Sequence, residues 1–120
     1  MRQRLPRTRR ITSSREIRAL LQQGKRSKTA HLDVFDSASP FSFSRVGVIV
    51  PKHRRNSVER NRLKRRLREV LRTEIMPRMR ELETPADIMV RARREAYVAT
   101  FTQLRDELLA WAERKWSHAL

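Results

Sequence analysis

Residues 56–75 read NSVERNRLKRRLREVLRTEI, and they carry two patterns at once. At about 100° per residue, Leu63, Leu67, Val70 and Leu71 fall within an arc of roughly 100° and form one apolar stripe. Asn61, Arg65, Arg68 and Arg72 line up along a different face. Arg62 and Arg66 flank that line on one side. Arg60 and Lys64 flank it on the other, close to the stripe, where their aliphatic stems have to snorkel toward water. The stripe predicts a helix lying on a sheet, with Asn56 or Ser57 as its N-cap and Pro77 expected to stop or kink it.

The cationic face needs its own explanation. Between Lys52 and Arg72 there are ten cations and two carboxylates, Glu59 and Glu69, a net of +8. Like charges at neighbouring helix positions cost stability unless an anion relieves them. Cations one turn apart lie about 6 Å from each other along the axis, a spacing that suits successive phosphates, and guanidinium forks bind phosphate oxygens in pairs. The free N–H groups at the start of the helix add to the attraction beside Lys52, His53, Arg54 and Arg55. The plainer reading is a solvated cationic surface. The whole chain argues against it: 29 Lys and Arg face 13 Asp and Glu in 120 residues, a formal charge of +16, whereas surfaces without a partner usually mix both signs. Nucleic acid is the expected partner.

Outward from this helix, the first ten residues carry five arginines and read as a basic, flexible arm. SSREIRALLQQG follows, with Ser13 and Glu16 as a capping box, Ile17, Leu20 and Leu21 on one face, and Gly24 as C-cap, a helix over about 14–23. AHLDVFD alternates as a strand, with Ala30, Leu32 and Val34 on one side and His31, Asp33 and Phe35 on the other. SASPFSFS reads as a loop. The continuous apolar run RVGVIVP reads as a more central strand ending at Pro51. ADIMVRAR supplies a third strand, with Ile88, Val90 and Ala92 opposite Met89, Arg91 and Arg93. A last helix over about 101–116 repeats Phe101, Leu104, Leu108 and Trp111. The expected fold is a single-domain, two-layer α+β sandwich in the order α-β-β-α-β-α.

Several chemistries are disfavoured. With no cysteine there is neither a disulfide nor a thiolate metal site. His31, His53 and His118 show no metal spacing. Asp33 and Asp36, three apart on a strand, point to opposite faces, and no acid/base pair, nucleophile elbow or phosphate-binding glycine loop is visible. No catalytic or metal-ligating residue is assigned. Phe35 interrupts a polar strand face, where it either stacks a base or covers a neighbouring helix. MRQRLPRTRR lacks an apolar targeting segment and no apolar run is long enough for a membrane span, so no membrane partner and a cytoplasmic protein are expected.

The segment RVGVIVPKHRRNSVERNRLKRRLRE, with its Arg60-Asn61-x-x-Lys64-Arg65-x-x-Arg68 pattern, resembles the signature region of the bacterial ribonuclease P protein family. RRITSSREIRALLQQGKR and ADIMVRARREA also fit, so the likeness spans roughly residues 5–115. It implies an α-β-β-α-β-α fold with a left-handed βαβ crossover, a handedness that the general rule would not suggest. It further implies a non-catalytic subunit of a ribonucleoprotein that removes the 5′ leader of precursor tRNA, with Mg²⁺ held mainly by RNA and substrate. Lys52, Arg60, Asn61, Arg62, Lys64, Arg65 and Arg68 would contact the catalytic RNA, joined by His53 and Arg54 of the preceding loop. Ile17, Leu21 and Phe35 would line the leader cleft. Two departures stand out: Ile17 and Leu21 occupy positions where phenylalanine is common in the family, and Arg55 stands where glycine is common. A structural RNA-binding protein of ribosomal type, a protein-only nuclease and a DNA binder with its helix in a major groove are the alternatives.

Overall fold

The computed structural model describes residues 5–117. The segment 56–75 begins as a helix, α2, Ser57–Val70. Asn56 caps it, its Oδ1 accepting the Glu59 N–H at 2.8 Å. Leu63, Leu67 and Val70 are buried, and the apolar stripe continues through Leu71, Ile75, Met76 and Met79. Of the two outcomes expected at Pro77, a stop or a kink, the stop does not occur. The backbone widens into a π turn over Leu71–Ile75 and runs on as α3, Met76–Met79. In that turn the Met76 N–H reaches back five residues to the Leu71 carbonyl. The wider turn accommodates a proline that has no N–H to give and would crowd the carbonyl four residues before it.

Around α2 stand α1, Ser14–Gln23, α4, Phe101–Trp116, and four strands: β1, Lys25–Lys28, β2, Leu32–Ala38, β3, Arg45–Ile49, and β4, Ala86–Ala92. The sheet order is β1-β2-β4-β3. β2 runs antiparallel to β1 and β4, while β3 and β4 are parallel neighbours joined through α2 and α3. The two-layer α+β sandwich is as expected, with three corrections.

Lys25–Lys28 is a fourth strand that KRSK does not announce, because it is held by pairing to β2 rather than by burial. β3 is an edge strand, not a more central one. Its apolar run is covered instead by the N-terminal segment, in which Ile11 donates its N–H to the Val46 carbonyl at 2.8 Å and Arg10 bridges to Val46. That covering is the third correction. Residues 5–10, expected within a flexible arm, pack on the domain through Leu5, 7% exposed, with a short 3-10 turn over Arg7–Arg9. Residues 1–4 of that arm lie outside the described residues.

The sheet has an apolar layer on each face. Leu32, Val34, Val46, Ile88 and Val90 pack against the stripe of α2 and against Leu104, Leu108 and Trp111 of α4. Phe101, expected in that row, is 36% exposed at the first turn of α4. That helix starts instead on a full capping box between Thr100 and Gln103. On the opposite face Phe35 and Met89 pack with Ile11 and Leu20, flanked by Ile17 and Leu21. Gly24 ends α1 with φ of −70°, outside the left-handed region. Glycine is needed there for close approach, since a Cβ would sit 2.5 Å from the Leu20 carbonyl oxygen.

Candidate nucleic-acid interface

Burial of Leu63 and Leu67 fixes which way the rest of α2 points. Asn61, Arg62, Arg65 and Arg68 are exposed, and Arg60, Lys64 and Arg66 are half-buried along the flanks. The face is not uniform. Arg60 donates Nε to the Val50 carbonyl at 2.7 Å and so ties the helix to the end of β3. Arg72 leaves the ladder for an ion pair with Glu69 at 2.6 Å. Arg65 makes no hydrogen bond or ion pair among the described residues. Burial of the Lys64 stem, with Arg60 and Arg68 nearby, pulls its ammonium pKa below the ordinary value. Arg68 is lowered in the same way by partial burial and by Arg10. In both, burial is the larger cause and the neighbouring cations add to it, a repulsion that an anion would relieve.

The loop before α2 turns tightly, with the Arg55 N–H donated to the Lys52 carbonyl at 2.8 Å. His53 and Arg54 sit at φ of 46° and 67°, the left-handed region that L side chains rarely adopt. Each such residue costs on the order of 1 kcal/mol, which the surrounding contacts must hold in place. The glycine-like geometry therefore falls on His53 and Arg54 and not on Arg55. Arg55 instead pairs with Glu59 at 2.9 Å and lies 5.2 Å over the Tyr97 ring. Tyr97 donates its hydroxyl to the Pro51 carbonyl at 2.5 Å, and His53 meets the ring edge-on at 6.3 Å. The strained turn is thus anchored from behind, and Lys52, His53 and Arg54 project outward.

The second concave surface lies between α1 and the sheet. Ile17 and Leu21 are half-buried at its side. Phe35 is 3% exposed, so it forms the floor and offers no free ring face; of the two roles read from sequence, covering the helix is the one its packing supports. Its ring carries the Arg91 guanidinium at 5.0 Å. Asp33 holds that guanidinium at 3.1 Å and Arg26 at 3.2 Å. Burial pushes the Asp33 carboxyl up, but the two arginines outweigh it and hold its pKa below the usual range. At the other end Arg45 grips Asp87 with two bonds, 2.6 and 3.1 Å, and reaches Glu16 at 2.7 Å. Glu16 therefore does not close the capping box expected with Ser13, although Ser13 still accepts the Glu16 N–H at 3.4 Å.

The remaining carboxylates are committed elsewhere. Asp36 faces α4 and pairs with Lys115 at 2.9 Å, on the side of the sheet opposite Asp33. Glu107 accepts from the His31 N–H at 2.6 Å and from the Thr29 hydroxyl, and its other oxygen meets His31 Nδ1 at 2.7 Å. Among the described residues no group of three or more His, Asp or Glu side chains could hold a metal ion. His118 lies outside the described residues.

Sequence reasoning missed Arg91 and Tyr97. The signal for Arg91 was its place beside Met89 and Arg93 on one strand face. Tyr97, the only tyrosine in the chain, has no local signal, because its partners at Pro51 and Arg55 are distant in sequence.

A family model described as ribonuclease P matches residues 5–115. The ribonuclease P protein component of Syntrophobacter fumaroxidans is 34% identical over 103 residues, covering 83% of this chain and 82% of its own. That of Desulfovibrio desulfuricans is 35% identical over 118 residues, covering 95% and 88%. Among solved structures, the Staphylococcus aureus RNase P protein superposes with a TM-score of 0.75 at 23% identity, over 89% of this chain and 94% of that one. The RNase P protein from Thermotoga maritima gives 0.69 at 24% identity, over 94% and 97%. These two structures speak to the fold alone.

Proposed function

The chain belongs to the ribonuclease P protein family, and from that premise we propose that its α2 face and the 52–54 turn dock on the catalytic RNA while the α1–sheet cleft receives the 5′ leader of precursor tRNA. It is the RNA-binding protein subunit of ribonuclease P, a ribonucleoprotein endoribonuclease, and not a ribosomal-type structural protein. The observation that carries the assignment of surfaces is the exposed row Asn61, Arg65 and Arg68 on a helix whose opposite stripe is buried. A rigid row of cations one turn apart lowers the repulsion between two RNA backbones without having to order itself on binding.

The cleft supplies orientation. Ile17 and Leu21 give an apolar wall, and Arg91, held over Phe35 by Asp33, presents a fixed guanidinium to a passing phosphate. With aliphatic residues where the family favours phenylalanine, contact there is apolar packing rather than ring stacking. We assign the Mg²⁺ of the reaction to RNA and substrate phosphates. The donor set of the protein does not suit it, since its buried carboxylates are already paired with arginine, lysine or histidine. Among the described residues no helix is long and apolar enough to cross a membrane. From the family reading we place the protein in the cytoplasm.

Reconstitution tests this reading. Ribonuclease P RNA is incubated with precursor tRNA at low Mg²⁺, with and without the protein. We expect faster cleavage at the mature 5′ end with both, and no specific cleavage by protein alone. Specific cleavage by the protein alone, or no stimulation, would overturn it.

A further inference from the structure

The basic face does not stop where α2 ends. The helical path of α2 runs on through the π turn into α3, whose Met76 and Met79, with Arg80 just after them, share the walls of one groove with Arg9, and Arg10 next to it bridges to Val46 of β3. Arg9 sits 4.3 Å over the ring of Phe43, in the loop between β2 and β3. Next to that ring is this groove, of about 220 Å³, whose walls include Arg9, Ser42, Phe43, Met79 and Arg80. One surface thus runs along the helix from the α2 ladder to the groove.

The loop itself holds a stacked aromatic pair. Phe41 and Phe43 stack with centroids 5.2 Å apart and planes 8° from parallel. Ser39 fixes them, donating its hydroxyl to the Phe43 carbonyl at 2.8 Å and accepting the Phe41 N–H at 3.1 Å. Phe41 nevertheless remains 48% exposed. Phe41 has a plain structural role, since the Arg45 guanidinium lies 4.7 Å from its ring centroid and the ring lids that buried ion pair. That role explains neither Phe43 nor Arg9 and Arg80. Arg45 is neutralised by Asp87 and Glu16, whereas among the described residues Arg9 and Arg80 have no carboxylate partner. An aromatic ring, two unpaired guanidinium groups and a serine hydroxyl around a groove too small for a helix match the chemistry of a single nucleotide.

We infer that this groove takes an unpaired nucleotide of the ribonuclease P RNA, with its base stacked on the Arg9 guanidinium that lies over Phe43 and a flanking phosphate on Arg80. The inference rests on the reading that α2 lies on the same RNA. Continuity with that face is what favours the catalytic RNA over the tRNA leader.

The test uses the full-length protein and ribonuclease P RNA, with affinity measured over a range of salt and nucleotide accessibility followed by chemical probing. Phe43→Leu keeps an apolar side chain but removes the ring beneath Arg9. It should weaken RNA binding by about 5- to 100-fold, the span expected for one stacked base, and restore reactivity at one or two unpaired nucleotides that the unaltered protein protects. Arg80→Ala, at an exposed position that leaves the fold intact, should flatten the salt slope by about one unit. Arg65→Ala serves as the α2 control. If Arg65→Ala weakens binding while Phe43→Leu and Arg80→Ala change neither affinity nor probing, the groove is not a nucleotide site. If Arg65→Ala is silent as well, the α2 reading fails with it. Loss of precursor tRNA binding with catalytic-RNA binding intact would also overturn the inference, because it would place the groove on the substrate path.

Discussion

Replacing Arg65 by alanine isolates the electrostatic part of the proposed interface. Arg65 is exposed and makes no hydrogen bond or ion pair among the described residues, and alanine is at least as good a helix former as arginine. Folding stability should therefore move by no more than about 0.5 kcal/mol. Binding should move further. Each phosphate contact contributes roughly 0.7 to 0.9 to the slope of log K against log salt, the lower figure for single strands. Over the decade from 1 M to 0.1 M salt that is a loss of about five- to eightfold in affinity, close to 1 kcal/mol. Arg72 provides the internal comparison, because its guanidinium is already engaged by Glu69 at 2.6 Å. Arg72→Ala should change the slope by clearly less. Filter binding of ribonuclease P RNA at five or more salt concentrations gives both numbers. An unchanged slope in Arg65→Ala, or equal changes in the two variants, would refute the reasoning that the exposed row meets phosphates one by one.

Three further outcomes are expected. Arg54→Gly removes left-handed strain and should raise the thermal midpoint, by up to about 1 kcal/mol in stability, while weakening RNA binding; a lower midpoint would show that the turn is not strained. Arg91→Met should erode discrimination between leader-bearing and mature tRNA more than affinity for the catalytic RNA, and equal losses in competition binding would remove Arg91 from the leader path. Acid should loosen α1. The Glu16 carboxyl is held below its ordinary 4.5 chiefly by the hydrogen bond from Arg45, so its stabilisation is complete above about that pH and is lost as pH falls through the lower folded value. Glu16→Gln should make thermal stability less pH-dependent below 4.5, and identical profiles for the two proteins would disprove the link.

How much of this was legible beforehand varies with the origin of each feature. α2 could be read because its stripe, its cap and its charge all lie within one local segment. β4 could be read because its alternation sorts Ile88 and Val90 from Met89 and Arg91, which is how the two layers divide them. β1 could not, since KRSK becomes a strand only by pairing with residues 33–36 of β2. The edge position of β3 was hidden for a similar reason: the N-terminal segment buries it, so it carries the apolar run of an interior strand. The helix runs past Pro77 because a π turn precedes it, a backbone adjustment that no side-chain pattern records. At the candidate site the cations of α2 were legible, but their differences were not. Which of them is spent inside the fold, as Arg60 is on Val50 and Arg72 on Glu69, depends on geometry alone.

The chain contains no cysteine, so a single introduced one can carry a tethered hydroxyl-radical probe at a known place. Asn61→Cys puts the probe on the exposed row of α2, and Thr102→Cys puts it on the exposed first turn of α4. In the assembled ribonucleoprotein the Asn61 position should cut the catalytic RNA at a compact set of nucleotides while the Thr102 position cuts weakly or not at all. Silence from Asn61, or equal cutting from both positions, would mean that the Arg-rich helix does not face the RNA.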